Sequence, residues 1–286
     1  MNEITTFNAA DLAELAKELG ATSSARTTQR IPVLRINRLV EDDDGRLLPR
    51  GKIFLSGDTP AYADQVTFRP LSHHFQYSKY DGVNKKYTCW TRQIADWSEE
   101  PRDTKGTLRC GKPDGKTLKL LGAEERAKYK DVQLVRLVRG LVSYTGTTID
   151  GQEITVENQP CILKLSGQNN FQSGEGKPYA PFEAQFKDRI PKGFEMFHFE
   201  VTLTTKKHKN DAGVMWYTFE YAFNPTQPLQ VTNEVYDSIR AVAELVREEN
   251  KKVDAAYMKA IRGAVDDLDD YQVLGDDLDD DLEDVA

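Results

Sequence analysis

A strict two-residue alternation of apolar and polar side chains between residues 197 and 223 constrains the fold more than any other feature of this sequence. The apolar positions are Phe197, Phe199, Val201 and Leu203, followed after a loop by Met215, Tyr217, Phe219, Tyr221 and Phe223. Side chains at every second position lie on one face of a β-strand, whereas a helix would distribute them around its axis. The segment therefore predicts an antiparallel hairpin with one face in the core, its strands joined by the loop 205–213.

Short segments before this hairpin have the same strand-like character. Strands are predicted at 31–37, 51–55, 65–68, 73–80, 85–92, 132–144, 153–156 and 160–165. The breaks between them are rich in Gly, Asp and Asn, and many short strands with such breaks are typical of an all-β barrel or sandwich. A long loop is predicted at 95–117, and short helices are predicted at 123–130 and 180–186.

Two further segments have helical periodicity. Leucines at three- and four-residue spacing in 8–19 predict a short amphipathic helix, which the small and polar linker 21–30 separates from the strands. This arm either docks on its own domain or bridges to a neighbouring protomer. In 233–262, apolar residues recur at steps of three, four and seven after Thr232, a good N-cap, so this segment is predicted to be a long helix.

Composition restricts the class of protein. No stretch approaches the roughly 20 apolar residues of a membrane span, and the N-terminus lacks the pattern of a signal peptide. The three cysteines, Cys89, Cys110 and Cys161, are odd in number and irregularly spaced. This argues against a secreted disulfide framework and favours a reducing cytoplasm.

The last 23 residues, 264–286, contain eleven acidic side chains and no basic one. The whole chain has 38 basic and 46 acidic residues, so 38 basic and 35 acidic residues remain before this tail. A mildly basic body therefore precedes a strongly acidic end. Blocks of like charge repel themselves and are predicted to be disordered. Such a tail either solubilises the protein, or competes with a polyanion for the basic body and recruits partner proteins.

A block of aromatic and basic residues spans 68–92. Its candidate binding residues are Arg69, His73, Phe75, Tyr77, Lys79, Tyr80, Lys85, Lys86, Tyr87, Trp90 and Arg92. On one strand His73, Phe75, Tyr77 and Lys79 are predicted to share a face. Bases stack on rings while cations neutralise phosphates, so such a stripe favours single-stranded nucleic acid. The alternative is that Phe75 and Tyr77 are ordinary core residues and the charges form a solvated rim.

Further cations could enlarge a basic surface. Lys206, Lys207 and Lys209 lie at the tip of the predicted hairpin, where they either contact phosphates or are simply solvated. Arg136 and Arg139 are predicted to lie on opposite faces of one strand, so at most one of them joins any given groove.

Motifs for metal binding and catalysis are mostly absent. His73 or His74 with Cys89 and Cys110 could ligate zinc, but the short ligand pair of structural zinc sites is missing, so no metal or cofactor is expected. Gly-x-Ser-x-Gly and His-Glu-x-x-His motifs are absent, and 111–117 only approximates a phosphate-binding loop. A nuclease would have to assemble its site from separate carboxylates, of which Asp64, Asp81, Asp96 and Asp103 are the nearest candidates.

A β-rich body with an aromatic and basic strand pair, a C-terminal helix and an acidic tail resembles the single-stranded DNA-binding proteins of tailed phages and bacteria. The resemblance covers residues 31–286 and depends on composition and element order. It implies a mainly β fold, an OB-fold-like antiparallel barrel, with insertions or a second small β-unit expected at 95–130 and 145–195. The chain would then divide into a helical arm and linker (1–30), a β-rich nucleic-acid-binding domain (31–230), a C-terminal helix (231–263) and the acidic tail (264–286).

The resemblance also implies a function. A protein of this family binds single-stranded DNA without sequence specificity in replication or recombination, here in the cytoplasm of a bacterial host, and is not an enzyme. Its tail would compete with DNA and contact replication or recombination proteins. The tail residues implied in these contacts are Asp276, Asp277, Asp279, Asp280, Asp281, Glu283 and Asp284. Many members end in an aromatic residue, whereas this chain ends Asp284-Val285-Ala286. A homo-oligomer is compatible with this interpretation, and no membrane partner is expected.

Two other classes remain open at this point. A structural or adaptor protein with an acidic tail would also be β-rich and lack catalytic motifs. A metal-dependent nuclease would need the separate carboxylates to meet at strand ends. Salt-sensitive affinity for DNA distinguishes the first class from a DNA-binding protein, and metal-dependent cleavage of DNA identifies the second.

Overall fold

A computed structural model describes residues 31–41, 45–57, 59–84, 86–95, 99–106, 119–127, 129, 132–166, 182, 186 and 189–262. All of them belong to the unit Ile31–Ala286. The predicted helix 8–19, the linker 21–30, most of 180–186, Lys85 and the acidic tail lie outside the described residues.

Nine strands and two helices make up the described body. The strands are β1 (Val33–Ile36), β2 (Ile53–Leu55), β3 (Ala61–Ala63), β4 (Gln65–Asp81), β5 (Lys86–Trp90), β6 (Val132–Thr148), β7 (Glu153–Leu165), β8 (Val201–Lys209) and β9 (Met215–Phe223). The helices are α1 (Ala123–Ala127) and α2 (Asn233–Ile261), and a short 3-10 helix spans Met196–His198. No helix among these described residues is long and apolar enough to cross a membrane.

Five strands close into a barrel. Their neighbours follow the cyclic order β1, β2, β3, β6 and β7, and β7 returns to β1. The β1–β7 pairing is parallel and the other four are antiparallel. A closed barrel leaves no strand edge exposed around its circumference. The prediction of a mainly β protein with a closed barrel and a long C-terminal helix is confirmed.

β3 and β4 behave as one long strand interrupted only at Asp64. Ala61 and Tyr62 pair with Thr148 and Thr147 of β6, and β4 continues along the same strand to Lys79, opposite Val132. The other edge of this strand is shared by β2, β8 and β5 in turn. The barrel is therefore continuous with an extended sheet that carries the β8–β9 hairpin.

Two pairs of strands that the sequence predicts as separate each form one continuous strand with a register shift inside it. The predicted strands 65–68 and 73–80 are one strand, with a register shift between Pro70 and Ser72. Pro70 lies beyond Phe68, the last residue paired with β8, so its missing N–H removes no bond to that strand. Similarly, 153–156 and 160–165 are one strand, β7. The insertion expected at 145–195 is wrong in its first part, because β6 and β7 of the barrel extend to residue 165.

The hairpin is formed as the alternation predicts, with two corrections. Val201 pairs with Phe223, Leu203 with Tyr221 and Thr205 with Phe219. The first strand begins at Val201, because Met196–His198 forms a 3-10 turn, so the prediction is wrong for Phe197 and Phe199. This strand continues to Lys209, which pairs with Met215, so the loop predicted at 205–213 is wrong for 205–209. The main core lies between this hairpin and the barrel interior; its fully buried members include Leu34, Phe68, Val138, Leu163, Phe199 and Leu203.

Helix α2 packs on the outer face of β4 and β6. Thr232 caps its N-terminus as predicted, accepting a hydrogen bond from the Val235 N–H. Val235 forms a small apolar cluster with Leu71 of β4 and Leu141 of β6. The apolar face predicted for the helix is therefore its contact with the sheet, while the charged face is turned to solvent.

A buried polar cluster holds the middle of α2, and we call it the helix clamp (Gln93, Arg139, Glu249, Asn250). Arg139 is 1% exposed and donates to Gln93 Oε1 at 2.6 Å and to Glu249 Oε2 at 2.7 Å. The side-chain amide of Asn250 bonds to both backbone groups of Gln93, accepting from its N–H at 2.7 Å and donating to its C=O at 2.8 Å. Asn250 thus satisfies the Gln93 backbone as a neighbouring strand would.

Candidate nucleic-acid interface

The stripe predicted on β4 shares one face, but that face belongs to the core. Phe75 is 2% exposed, with the His73 ring at 4.8 Å and the Arg136 guanidinium 4.8 Å from its centroid. Burial, and then the charges of Arg136 and His74, lower the pKa of His73 to about 3, so this imidazole is neutral at neutral pH. Phe75 is therefore enclosed rather than presented to a ligand, whereas His73, Tyr77 and Lys79 on the same face are half-buried.

The arginines of the basic block hold the body together. Arg69 is 8% exposed and donates to the backbone oxygens of Phe197 at 2.8 Å and Gln230 at 2.9 Å. Arg92 forms ion pairs with Glu99 at 3.6 Å and with Asp254 of α2 at 3.9 Å. Both guanidinium groups are therefore bound to groups of the protein itself, in the positions where the sequence predicted contacts with phosphates.

Neither Arg136 nor Arg139 extends a basic surface. Arg136 is 4% exposed and lies over the Phe75 ring, while Arg139 belongs to the helix clamp. They lie on opposite faces of β6 as predicted, but both faces are covered at these positions, so the suggestion that they extend the positive surface is wrong.

A second group from the block meets on the opposite face of the sheet. The rings of Tyr80 and Tyr87 lie 5.2 Å apart, and Lys164 Nζ of β7 lies 5.5 Å from the Tyr87 centroid and 3.5 Å from its hydroxyl oxygen. Trp90 is half-buried on the same strand as Tyr87, and Lys86 is exposed. The block is therefore divided between two faces, and only this part of it is joined to another strand's cation at the surface.

The contact between Tyr87 and Lys164 requires the sheet to curl. β5 and β7 are separated by β4 and β6, and Lys164 pairs with Leu137, which pairs with His74, six positions before Tyr80. In a flat sheet these spacings would place the two Cα atoms roughly 25 Å apart. Lysine and tyrosine side chains cannot span that gap, so the β4–β5 end bends over the outer wall of the barrel. Val135, Leu137 and Ile162 are buried on this face.

The barrel wall carries a matching row of side chains. In β1, β2 and β3 the flanking residues point into the core, so the central residues Arg35, Phe54 and Tyr62 point outward. The register places these three side by side across neighbouring strands. The Arg35 guanidinium lies 5.2 Å from the Phe54 centroid, and the Phe54 and Tyr62 centroids are 5.1 Å apart.

The parallel pairing of β1 with β7 connects the two groups. Val33 lies beside Ile162 and Leu34 beside Leu163, where the paired register ends; Arg35 and Lys164 are the next residues along the two strands. We call the resulting row the aromatic–cation band; in order around the barrel it consists of Tyr62, Phe54, Arg35, Lys164, Tyr87 and Tyr80. All of these side chains are half-buried except Tyr80, which is buried. The band has aromatic pairs at its two ends and two cations at its centre.

The hairpin lysines lie elsewhere, beside the turn that leads into β2. The Thr205 hydroxyl donates to the Gly51 carbonyl at 2.6 Å, which fixes the hairpin next to this turn. Lys206 forms an ion pair with Glu220 at 2.8 Å, while Lys207 and Lys209 are exposed at the tip. These lysines are not part of the band.

The described carboxylates and thiols do not assemble a metal site. Within the described ranges there is no group of three or more His, Cys, Asp and Glu side chains placed to hold a metal ion. Asp81 accepts hydrogen bonds from the Asn84 side-chain amide and from the backbone N–H groups of Asn84 and Val83. These bonds, of which that from the Asn84 side chain has the largest effect, lower the pKa of Asp81. Asp103 is fully buried, Cys89 and Cys161 are buried, and Asp96 and Cys110 lie outside the described residues.

Four residues of the band were not predicted as binding residues from the sequence: Arg35, Phe54, Tyr62 and Lys164. Arg35, Phe54 and Tyr62 lie in strands of three or four residues, Lys164 lies near the end of the 13-residue β7, and all four are outside the dense block at 68–92. Arg35 in Leu-Arg-Ile has an alternation signal, but in Ile-Phe-Leu all three residues are apolar, so the outward position of Phe54 is hidden. Only the pairing of distant strands brings these side chains together.

Comparison of this chain with protein-family models, with curated proteins and with solved structures found no match.

Proposed function

We propose that this protein binds single-stranded DNA without sequence specificity, through the aromatic–cation band, in replication or recombination of the phage type. The single observation that supports this proposal is the outer row from Tyr62 to Tyr80, in which Tyr62, Phe54 and Arg35 on one side and Lys164, Tyr87 and Tyr80 on the other contact one another at 5.1 to 5.5 Å. The exposed part of each half-buried ring is apolar surface in contact with water, and a stacked base would cover it.

Each part of the band has a distinct role in this proposal. The Tyr62–Phe54 pair and Tyr87 offer half-buried ring faces for stacking, which contributes roughly 1–3 kcal/mol per base, while the buried Tyr80 packs against the Tyr87 ring. Arg35 and Lys164 lie between the pairs and would neutralise the phosphates that link the stacked bases. Every base has a π-face and every nucleotide a phosphate, so this arrangement does not read sequence.

The acidic tail supplies regulation in the same proposal. Its eleven carboxylates carry the charge pattern of a polyanion and compete with DNA for the cations of the body. When DNA occupies the band, the tail becomes available to replication or recombination proteins. The lysines at the hairpin tip, Lys207 and Lys209, add positive charge beside the turn that precedes β2.

The cation pair at the centre of the band provides the direct test. We expect Arg35→Gln and Lys164→Gln each to lower the slope of log affinity against log salt by about 0.7, because each removes one phosphate contact to a single strand. The measurement is fluorescence anisotropy of labelled oligo-dT over a series of salt concentrations. Arg240→Gln, an exposed arginine on α2, is the matched control and should leave the slope unchanged.

The outcomes of this titration separate the proposals. Salt-sensitive binding with unchanged slopes in both band variants would move the binding surface away from the band. No binding of oligo-dT by the wild-type protein would favour the structural or adaptor class instead.

Removal of residues 264–286 is expected to tighten binding of oligo-dT at low salt. The truncation removes eleven negative charges that compete for the same cations, and the gain should shrink as salt screens this competition. The same anisotropy titration measures it. A full-length control in which the tail carboxylates are replaced by amides should behave like the truncated protein. Unchanged or weaker affinity in both forms would contradict competition by the tail.

A further inference from the structure

Among the described strands β9 is an edge strand, and its sequence lacks most of the side chains that protect edges. Among the described strands it pairs with β8 alone, and all nine of its residues are in that register. Natural edge strands are commonly blunted by Lys, Pro, bulges or short length. The sequence of β9, Met-Trp-Tyr-Thr-Phe-Glu-Tyr-Ala-Phe, contains no Lys, Arg, Pro or Gly and a single charge, Glu220. Glu220 and Ala222 on its outer face are exposed.

The side-chain pattern of β9 is nearly symmetric about Phe219. An antiparallel pairing of two copies centred there would place Tyr217 opposite Tyr221, Met215 opposite Phe223, and Trp216 opposite the small Ala222. Thr218 would lie opposite Glu220, so the two Glu220 carboxylates would not oppose each other directly. Pairs of rings, and a large side chain facing a small one, are favourable across antiparallel strands.

The alternative registers are less suitable. A shift by one residue would place core-facing side chains of one copy opposite solvent-facing side chains of the other, which the two-residue period forbids. A pairing centred on Glu220 would oppose two like charges. Centring on Phe219 also gives the full overlap of the nine-residue strand. At one end, Arg189 donates to the Phe223 carbonyl at 3.0 Å, which marks the limit of the open edge.

We propose that β9 is a self-association surface, and that its partner is β9 of a second copy of this chain, paired antiparallel about a two-fold axis at Phe219. Such an interface is isologous, because the same strand is used by both copies, and it closes as a dimer. The inference does not depend on DNA binding.

Sedimentation velocity of the full-length protein without DNA tests the inference. We expect a species of twice the chain mass of 32.4 kDa. The paired substitution Glu220→Lys with Ala222→Lys should raise the dimer dissociation constant by about tenfold or more, because it places four like charges around the axis. The matched control is Thr202→Lys with Thr204→Lys, at the positions of β8 that pair with Ala222 and Glu220. These lysines lie on the same outer face but away from the edge, so the control should remain dimeric.

Hydrogen exchange of the wild-type protein supplies a readout without any variant. We expect amides in β9 that point away from β8 to lose protection when the protein is diluted, while amides of β8 stay protected. A wild-type monomer across the concentration range, or equal dimerisation of the edge variant and its control, would overturn the inference. Protection of β9 that does not change on dilution would also overturn it.

Discussion

Replacing Phe54 and Tyr87 together by alanine is expected to weaken binding of oligo-dT by at least about thirtyfold. Each residue belongs to one of the two aromatic pairs of the band, and loss of one stacked base costs roughly 1–3 kcal/mol. Neither ring is in the main core cluster, and Phe54 points outward between the buried Ile53 and Leu55. The measurement is anisotropy at fixed salt, accompanied by thermal unfolding to verify that the fold is retained.

The salt dependence of this variant distinguishes stacking from general damage. Arg35 and Lys164 remain in place, so the slope of log affinity against log salt should be nearly that of the wild type. The matched control is Phe194→Ala with Tyr236→Ala, two aromatic residues outside the band that are 37% and 55% exposed. Equal loss of affinity in the control, or no loss in the band variant, would remove the band from the binding surface.

Glu249→Gln is expected to reduce the free energy of unfolding by about 3 kcal/mol. The substitution leaves the buried Arg139 guanidinium without its counter-charge, and breaking one partner of a buried ion pair typically costs 3–5 kcal/mol. Arg139 is 1% exposed, and its distance to Glu249 Oε2 is 2.7 Å. Burial already lowers the pKa of Arg139, and Glu249 opposes this shift. Urea denaturation monitored by circular dichroism measures the change.

The neighbouring Glu248 provides the control for this prediction. Its side chain is exposed and pairs only with Lys251 across one turn of α2, so Glu248→Gln should change stability by less than about 0.5 kcal/mol. Replacing Arg139 by Met in the Glu249→Gln background should recover part of the loss, because the uncompensated charge is then gone. A loss below about 1 kcal/mol for Glu249→Gln would show that water reaches the clamp.

Local patterns in the sequence were sufficient for most elements of the fold. The alternation at 201–223 and the three- and four-residue spacing at 233–261 are strong signals, because one face of each element is buried. The joining of 65–68 with 73–80 could not be predicted, since the register shift at Pro70 breaks the pattern that would have continued the strand. Closure of the barrel depends on β1–β7 pairing between residues more than a hundred positions apart, which no local signal encodes.

The surface proposed to bind DNA was only partly predictable for the same reason. The density of rings and cations at 68–92 includes Tyr87, which is half-buried in the aromatic–cation band, but it equally includes Phe75 and Arg69, which are buried. A dense block in sequence lies on both faces of a strand, and only one of them can be the surface. In the sequence Arg139 could not be distinguished from a surface cation. Its partner Glu249 is 110 positions away, and no local pattern indicates that the two side chains form a buried ion pair.

The contact of Asn250 with Gln93 fixes the point from which the acidic tail departs. Rotation or sliding of α2 would leave the Gln93 N–H and C=O without partners in a buried site, so the end of the helix at Ile261 keeps one position relative to the barrel. The 24 residues after Arg262 can reach at most about 80 Å from that point. If the tail competes with DNA as proposed, it is a tethered competitor whose effective concentration is set by the length and stiffness of the chain. The competition within one molecule should then be independent of protein concentration.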